Sequence, residues 1–295
     1  MGELEVADYL LTQLTGFSPE ALDPIRDLER ICRETDGTDL RIGLDNLTAD
    51  SSDRVYLYQT EGRLIGYFSW YSVDGIEANI SAMVHPLRRR QGIFRALLEA
   101  AAKDMREQGI QSCRFKVPAD SDAGQHTMEH LGTKFDKSQY AMEFQALHHE
   151  ELRNPNLVIR PETLEDFGFM VRCSTQAFGD SEEWTLRYFG NTREPHRHAY
   201  IGFDGAERVG MIRVKLLGSD TAVIHDFCVS PDIQGRGYGR DILMQTVRLL
   251  LSEGRTRIRL SVITENRNAL ELYRRIGFGI VSKSDYYICN LEAWR

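Results

Sequence analysis

Val229-Ser-Pro-Asp-Ile-Gln234-Gly-Arg-Gly237-Tyr-Gly239 reads as the end of a strand, a short basic loop and the start of a helix. It has a counterpart upstream. Val84, Pro86, Gly92 and Gly132 are matched by Val229, Pro231, Gly237 and Gly277, each pair 145 residues apart (229 against 84, 277 against 132). The chain is therefore built twice. A strand that turns tightly into a helix gathers backbone N–H groups and the positive end of the helix dipole around one point, and such a point holds phosphate. Gly237 and Gly239 keep side chains away from those amides, and Arg236 and Arg240 can add charge at the rim. Glycine turns after strands also occur without a ligand, so the loop alone names no chemistry.

Outward from this loop, the alternation of strand and helix signals gives the fold class. Arg54 to Gln59 and Leu64 to Trp70, split by Glu61-Gly62, predict a hairpin, and Ala199 to Phe203 with Val209 to Val214 around Asp204-Gly205 repeat it. Apolar spacing predicts helices over Arg95 to Arg106 and Arg240 to Ser252, with Gly109 and Gly254 ending them. A strand at Arg257 to Val262, a helix over Arg267 to Ile276 and a last strand around Tyr286 to Cys289 complete the second copy. Its opening strand falls at Val158 to Arg160, whereas the corresponding Gln13 to Thr15 is not strand-like. The expectation is α/β: two tandem domains, each a mixed, mostly antiparallel sheet flanked by helices, spanning 1–150 and 151–295. The joint falls in the polar stretch His148 to Asn156.

With 295 residues and 42% hydrophobic content, each copy can bury a core of its own. A net charge of −8 opposes binding to nucleic acid or to an anionic membrane and favours, through steering, a cationic acceptor. Five scattered cysteines without Cys-x-x-Cys spacing predict reduced thiols and no metal site. An acidic N-terminus without an apolar signal core, and apolar runs too short for a bilayer, predict a cytoplasmic protein with no membrane association. The motifs of zinc enzymes, serine hydrolases and kinases are missing. The oligomeric state is left open.

The full string Val-x-Pro-x-x-Gln-x-x-Gly-x-Gly, an amphipathic helix, and then Asn266-x-x-Ala269-x-x-Leu272-Tyr273-x-x-x-Gly277-Phe278 resembles the GNAT acetyltransferase superfamily in both of its acetyl-CoA motifs. The likeness covers the second copy from Val158 to Tyr287 and the first copy more loosely. It implies an acetyl-CoA-dependent N-acetyltransferase acting on a primary amine of a small molecule or an exposed protein amine, with the chemistry in the second copy. The alternative is a non-catalytic acyl-CoA-binding or scaffolding protein.

Carried over residue by residue, the resemblance gives Phe227, Cys228 and Val229 the pantetheine arm and the thioester carbonyl. Gln234, Gly235, Arg236, Gly237, Tyr238 and Gly239, with Arg240, wrap the pyrophosphate. Asn266 reaches toward the pantetheine chain, although asparagine there is also a good helix cap. Tyr273 falls at the general acid that protonates the departing thiolate. The two positions where relatives carry a catalytic glutamate hold Ser261 and Val223. Asp226 is the first candidate for the base, followed by Glu265, Asp180, Glu182, Glu183 and His225. In the first copy, Asn266 is replaced by Ser121, Ala269 by Gly124, Gly239 by Phe94 and Tyr273 by Met128, which has no proton to give. That copy is expected to support the second, or to hold a ligand without turnover.

Overall fold

The computed structural model describes residues 9–38, 41–44, 47, 52–148 and 151–293. They form two compact units. The first comprises Met1–Ser138 together with Ser284–Arg295, and the second Gln139–Lys283. The units depart from a linear division at 150, since 139–150 go with the second and 284–295 with the first. The N-terminal stretch 1–8 lies outside the described residues.

In the first unit β1 (Tyr9–Leu14), β2 (Arg54–Thr60), β3 (Arg63–Tyr71) and β4 (Glu77–Val84) form an antiparallel series. β4 then runs parallel to β5 (Ser112–Pro118), and residues 284–290 close the sheet antiparallel to β5. Its helices are α1 (Pro19–Asp36), α2 (Ile93–Glu107) and α3 (Asp122–His130). Alternation sorts the strand side chains between two cores. Val55, Leu57, Tyr67 and Met83 meet Ile25 and Leu28 of α1, while Tyr56, Phe68, Trp70 and Ile80 meet Leu97 and Met105 of α2. The strand β1 corrects the reading of this segment as non-strand. The sequence Tyr-Leu-Leu-Thr-Gln-Leu lacks clean alternation, and Tyr9 and Leu10 stay exposed; the strand is defined by pairing with β2 and by Tyr9 stacking on Tyr58 at 5.2 Å.

In the second unit the sheet order is β6-β11-β10-β9-β8-β7. The strands are β6 (Lys134–Phe144, of which 139–143 pair here), β7 (Leu157–Pro161), β8 (Arg197–Asp204), β9 (Glu207–Leu217), β10 (Thr221–Val229) and β11 (Arg257–Ile263). Neighbours are antiparallel except β10 and β11, which run parallel. Helices α4 (Phe167–Phe178) and α5 (Glu182–Asn191) cover one face, where Met170, Cys173 and Phe189 meet Ile201, Met211 and Cys228. The other face carries α6 (Tyr238–Ser252) and α7 (Arg267–Ile276), whose Ile242, Leu243, Val247 and Ile276 share a core with Ile212, Val214, Ile224 and Leu260. Each such side chain, fully buried, stabilises by roughly 1.5–3 kcal/mol. The last strand, β12 (Phe278–Asn290), begins in this unit and supplies its later residues to the first. Among the described residues no helix is long and apolar enough to cross a membrane, and no group of three His, Cys, Asp or Glu could hold a metal ion. All five cysteines are free thiols.

Candidate active site

Two departures from regular sheet shape the second unit's site. β10 and β11 pair only from Thr221 opposite Arg257 to Ile224 opposite Leu260, although both strands continue, to Val229 and Ile263. Past Ile224 the two strands no longer pair, so among the described residues that edge of β10 has no strand partner there. The second departure lies on its other edge. Between His225 and Cys228 the register with β9 shifts: three steps on β10 answer two on β9, from Arg213 to Met211. This is a bulge, and Asp226 sits in it with φ 43°, a left-handed conformation that costs a residue with a Cβ on the order of 1–2 kcal/mol.

The strain at Asp226 is held in place by its partners. Arg213 donates through Nη1 to Oδ2 at 3.0 Å, and the Tyr188 hydroxyl of α5 lies 3.2 Å from both carboxylate oxygens. Arg213 is buried, donates to the carbonyl and hydroxyl of Thr192, and lies 4.7 Å from the Phe189 ring. Burial raises the Asp226 carboxyl above its ordinary range, while Arg213 and Tyr188 work against that rise. His225 is pushed down to about 4 by burial and by Arg197, Arg213 and Lys215. Neither Arg213 nor Tyr188 stood out in the sequence, since only the bulge turns Asp226 toward them.

At the end of β10 the loop turns into α6 as the spacing predicts. Gly235 and Gly237 have φ of 79° and 92°, and Gly237 is the N-cap, with no side chain capping the helix. The first intrahelical bond is Asp241 N–H to the Gly237 carbonyl at 3.2 Å, so the amides of Tyr238, Gly239 and Arg240 lie ahead of it. These amides and the helix dipole suit a diphosphate. Gln234 instead turns inward, its Nε2 donating to the Val229 carbonyl at 3.0 Å. Tyr238 donates to Asp204 at 2.7 Å. Arg240 is committed to Asp241 at 3.0 Å and to the Glu151 carbonyl at 2.9 Å, which leaves Arg236 as the arginine of the rim.

Asp241, which the sequence reading passed over, anchors this corner. Its fully buried carboxylate accepts from the Arg153 and Asn154 amides at 3.1 and 2.7 Å and from Asn154 Nδ2 at 2.9 Å. The segment before β7 is thereby tied to the first turn of α6. A Cβ on Gly237 would come 3.0 Å from Arg153 Cδ.

Gly239 marks where strand, loop and second motif converge. A Cβ there would touch Phe227 Cζ and Val229 Cγ2 at 3.5 Å and Leu272 Cδ2 of α7 at 3.7 Å. The next residue on α7, Tyr273, is 8% exposed, with its ring 6.4 Å from Phe227 and 6.2 Å from Phe278. Burial pushes its hydroxyl up to about 12, so it holds its proton at any physiological pH. Asn266 caps α7, its Oδ1 accepting from the Ala269 amide at 3.1 Å. Of the other candidate acids, Glu182 and Glu183 occupy the exposed first turn of α5, and Asp180 and Glu265 lie in loops. None is brought to the bulge in the way Asp226 is.

The first unit repeats the frame with different side chains at the matched positions. Ser121 caps α3 as Asn266 caps α7, accepting from Gly124 N–H at 3.2 Å. Gly92, with φ 80°, is the N-cap of α2. β4 pairs with β3 from Asn79 to Val84 with no bulge, Phe94 packs against the core where Gly239 leaves space, and Met128 is buried at the position of Tyr273.

The chain is 28% identical over 286 residues to the mycothiol acetyltransferase of Clavibacter michiganensis subsp. michiganensis, covering 88% of this chain and 89% of that protein. A shorter match, 37% identical over 59 residues, links it to an uncharacterized N-acetyltransferase of Methanocaldococcus jannaschii; it takes in 20% of this chain and 26% of that relative, so about a quarter of the relative's length is spanned. Among solved structures, a GCN5-related N-acetyltransferase from Sphaerobacter thermophilus superposes with a TM-score of 0.75 at 19% identity over 96% of both chains, and a tandem GNAT protein from the clavulanic acid biosynthesis pathway with 0.70 at 15% identity over 96% of this chain and 99% of that one. The family profile described as the acetyltransferase (GNAT) family matches twice, over residues 22–133 and 163–278, and with most of its length so matched the chain belongs to the GNAT acetyltransferases as a tandem member.

Proposed function

We propose that the second unit transfers an acetyl group from acetyl-CoA to the primary amine of a small molecule or an exposed protein amine, and that the first unit does not turn over. The observation that carries this reading is the convergence at Gly239 of an uncapped helix start, Phe227 and Val229 of β10, whose strand pairing with β11 has ended, and Leu272, the neighbour of the buried Tyr273. Acetyl-CoA supplies a thioester whose carbonyl is open to attack by an amine. The amides from Gly235 to Arg240, with Arg236, hold the diphosphate, and Asn266, the cap of α7 just past the end of β11, reaches toward the pantetheine chain. Backbone groups of Phe227, Cys228 and Val229 polarise the carbonyl, and most of the rate comes from bringing amine and thioester together. Tyr273 keeps its proton until the thiolate leaves. Asp226, whose charged form Arg213 favours against the opposing effect of burial, accepts the proton of the amine. Likeness to mycothiol acetyltransferases over nearly nine-tenths of the chain supports a small-molecule acceptor.

Matched substitutions test the division of labour. Gly237→Ala and Gly92→Ala both place a Cβ at a left-handed helix start, with a further close contact, to Arg153 Cδ at 3.0 Å, at Gly237 alone of the two. Release of free CoA thiol from acetyl-CoA and an amine panel should collapse in the first variant and persist in the second. Equal loss in both, or no association of acetyl-CoA with the wild type by calorimetry, overturns the reading.

A further inference from the structure

On the α4–α5 face of the second unit's sheet, the rows beyond Ala199 change from apolar to charged. Register places Arg197 of β8 opposite Lys215 of β9, Lys215 opposite Val223 of β10, and Arg213 opposite His225. Arg213 and Lys215 are two apart on one strand, so Arg197, Arg213, Lys215 and His225 share a face, immediately before the bulge at Asp226. Three cations meet there with two carboxylates. Asp226 answers Arg213 at 3.0 Å, and Glu194 answers Lys215 at 2.9 Å. Glu194 is only a distant partner for Arg197, 3.7 Å from Nη2. The Arg197 side chain is 10% exposed, and its Nε is buried with no hydrogen-bond partner among the described residues. A buried donor left unmade is costly, and a guanidinium presenting Nε and Nη on one edge matches the two oxygens of an oxyanion. The local excess of positive charge also runs against the net charge of −8.

We infer that the acceptor amine carries an oxyanion, a carboxylate or a phosphate, which Arg197 seats while the amine faces the bulge of β10. This rests on the reading of the second unit as the transferase. β8 and β10 are two strand spacings apart, about 9–10 Å, so the anion and the amine belong to one compact molecule such as an amino acid or an amino-alkyl phosphate. His225, on the same face, is lowered first by burial and then by Arg197, Arg213 and Lys215, with Glu194 acting in the opposite sense. Arg197 is here a specificity-determining residue; it touches the acceptor away from the bond that forms.

The test compares kcat/KM for matched acceptors: amino acids against their primary carboxamides, and O-phosphoethanolamine against ethanolamine. In the wild type the anionic member of at least one pair should be preferred about tenfold or more, and the preferred pair says which oxyanion is read. Arg197→Gln should bring that ratio toward one, and Arg197→Lys should retain part of it, with melting curves showing both variants folded. A purely structural role for Arg197 lowers both members of a pair equally and leaves the ratio where it was, which overturns the inference. So does a wild-type ratio near one in both arms. If acetyl-CoA binds and neutral amines are acetylated without discrimination, the transferase reading stands and only the oxyanion fails. If no amine in any pair is acetylated, both fall.

Discussion

Gln234 donates through Nε2 to the carbonyl of Val229 at 3.0 Å, closing the loop back onto the strand that leads into it. At the same place in the first unit, 145 residues earlier, Arg89 donates through Nε to the Val84 carbonyl at 3.1 Å, and its two terminal nitrogens are taken by Asp36 at 2.7 Å each. Two different side chains perform one task. The residue in this position shapes the turn, and on the proposed reading the backbone amides of the turn in the second unit are what meet the diphosphate. Gln234→Ala should therefore weaken acetyl-CoA binding through loss of the turn's geometry. One neutral hydrogen bond is worth about 1 kcal/mol, or about fivefold in Kd by calorimetry. An unchanged Kd sets the clamp aside.

Gly239 separates space from strain. Its Cβ would make ordinary contacts at 3.5 Å, and its φ is not in the left-handed region, so Gly239→Ala should leave the melting temperature within a few degrees of the wild type. Gly239→Phe installs the side chain that the first unit carries as Phe94. The ring must displace Phe227 or Leu272 or lie over the first-turn amides. Acetyl-CoA affinity should fall more than tenfold for the phenylalanine and much less for the alanine; equal affinities would place the cosubstrate elsewhere.

Tyr273→Phe removes one buried hydroxyl and keeps the ring contacts with Phe227 and Phe278. With the hydroxyl pushed up to about 12, the wild type has no falling limb from this group below pH 10. The variant should bind acetyl-CoA normally and lose on the order of 10²–10⁴ in kcat. A kcat within twofold of the wild type removes the tyrosine from the chemistry.

Much of this was legible locally. The limits of α7 and its Asn266 cap, the turn at Gly235 and Gly237, and the glycines after α2 and α6 depend on neighbours a few residues away, and the sequence pattern contains them. What escaped depends on distant partners. Asp241 looks like any acid in a first helical turn until Arg153 and Asn154, nearly ninety residues earlier, fold onto it. Arg213 and Tyr188 reach Asp226 only because one extra residue in β10 rotates it, and no spacing rule announces a bulge. The closing strands at 139–143 and 284–290 are likewise set by pairing with β11 and β5.

Asp241 has the largest expected effect on stability. Its carboxylate is fully buried and satisfied by two backbone amides, the Asn154 amide group and Arg240. Asp241→Ala leaves those donors and the Arg240 charge facing an apolar methyl, a loss on the order of 3–5 kcal/mol. Chemical denaturation reads this directly. The first unit has Ala96 at the matching position on α2, so the equivalent corner there has no such carboxylate to lose.

His225 gives the protein a pH-dependent term whose sign follows from burial. Its pKa in the folded state is about 4, below the ordinary 6.5, so between these values the unfolded chain binds the extra proton and the folded chain does not. Stability from this group is fully present above pH 6.5 and is lost as pH falls toward 4, by on the order of 3 kcal/mol for a shift of this size. Urea denaturation at pH 7 and pH 5 should show a lower midpoint at pH 5, and His225→Phe, which cannot titrate, should reduce the difference between the two. Carboxylates such as Glu194, lowered by Lys215 and Arg197, add a loss in the same direction at lower pH, so the comparison must be drawn between wild type and variant at each pH. A midpoint difference that is the same in both proteins would show that His225 is solvated and titrates normally.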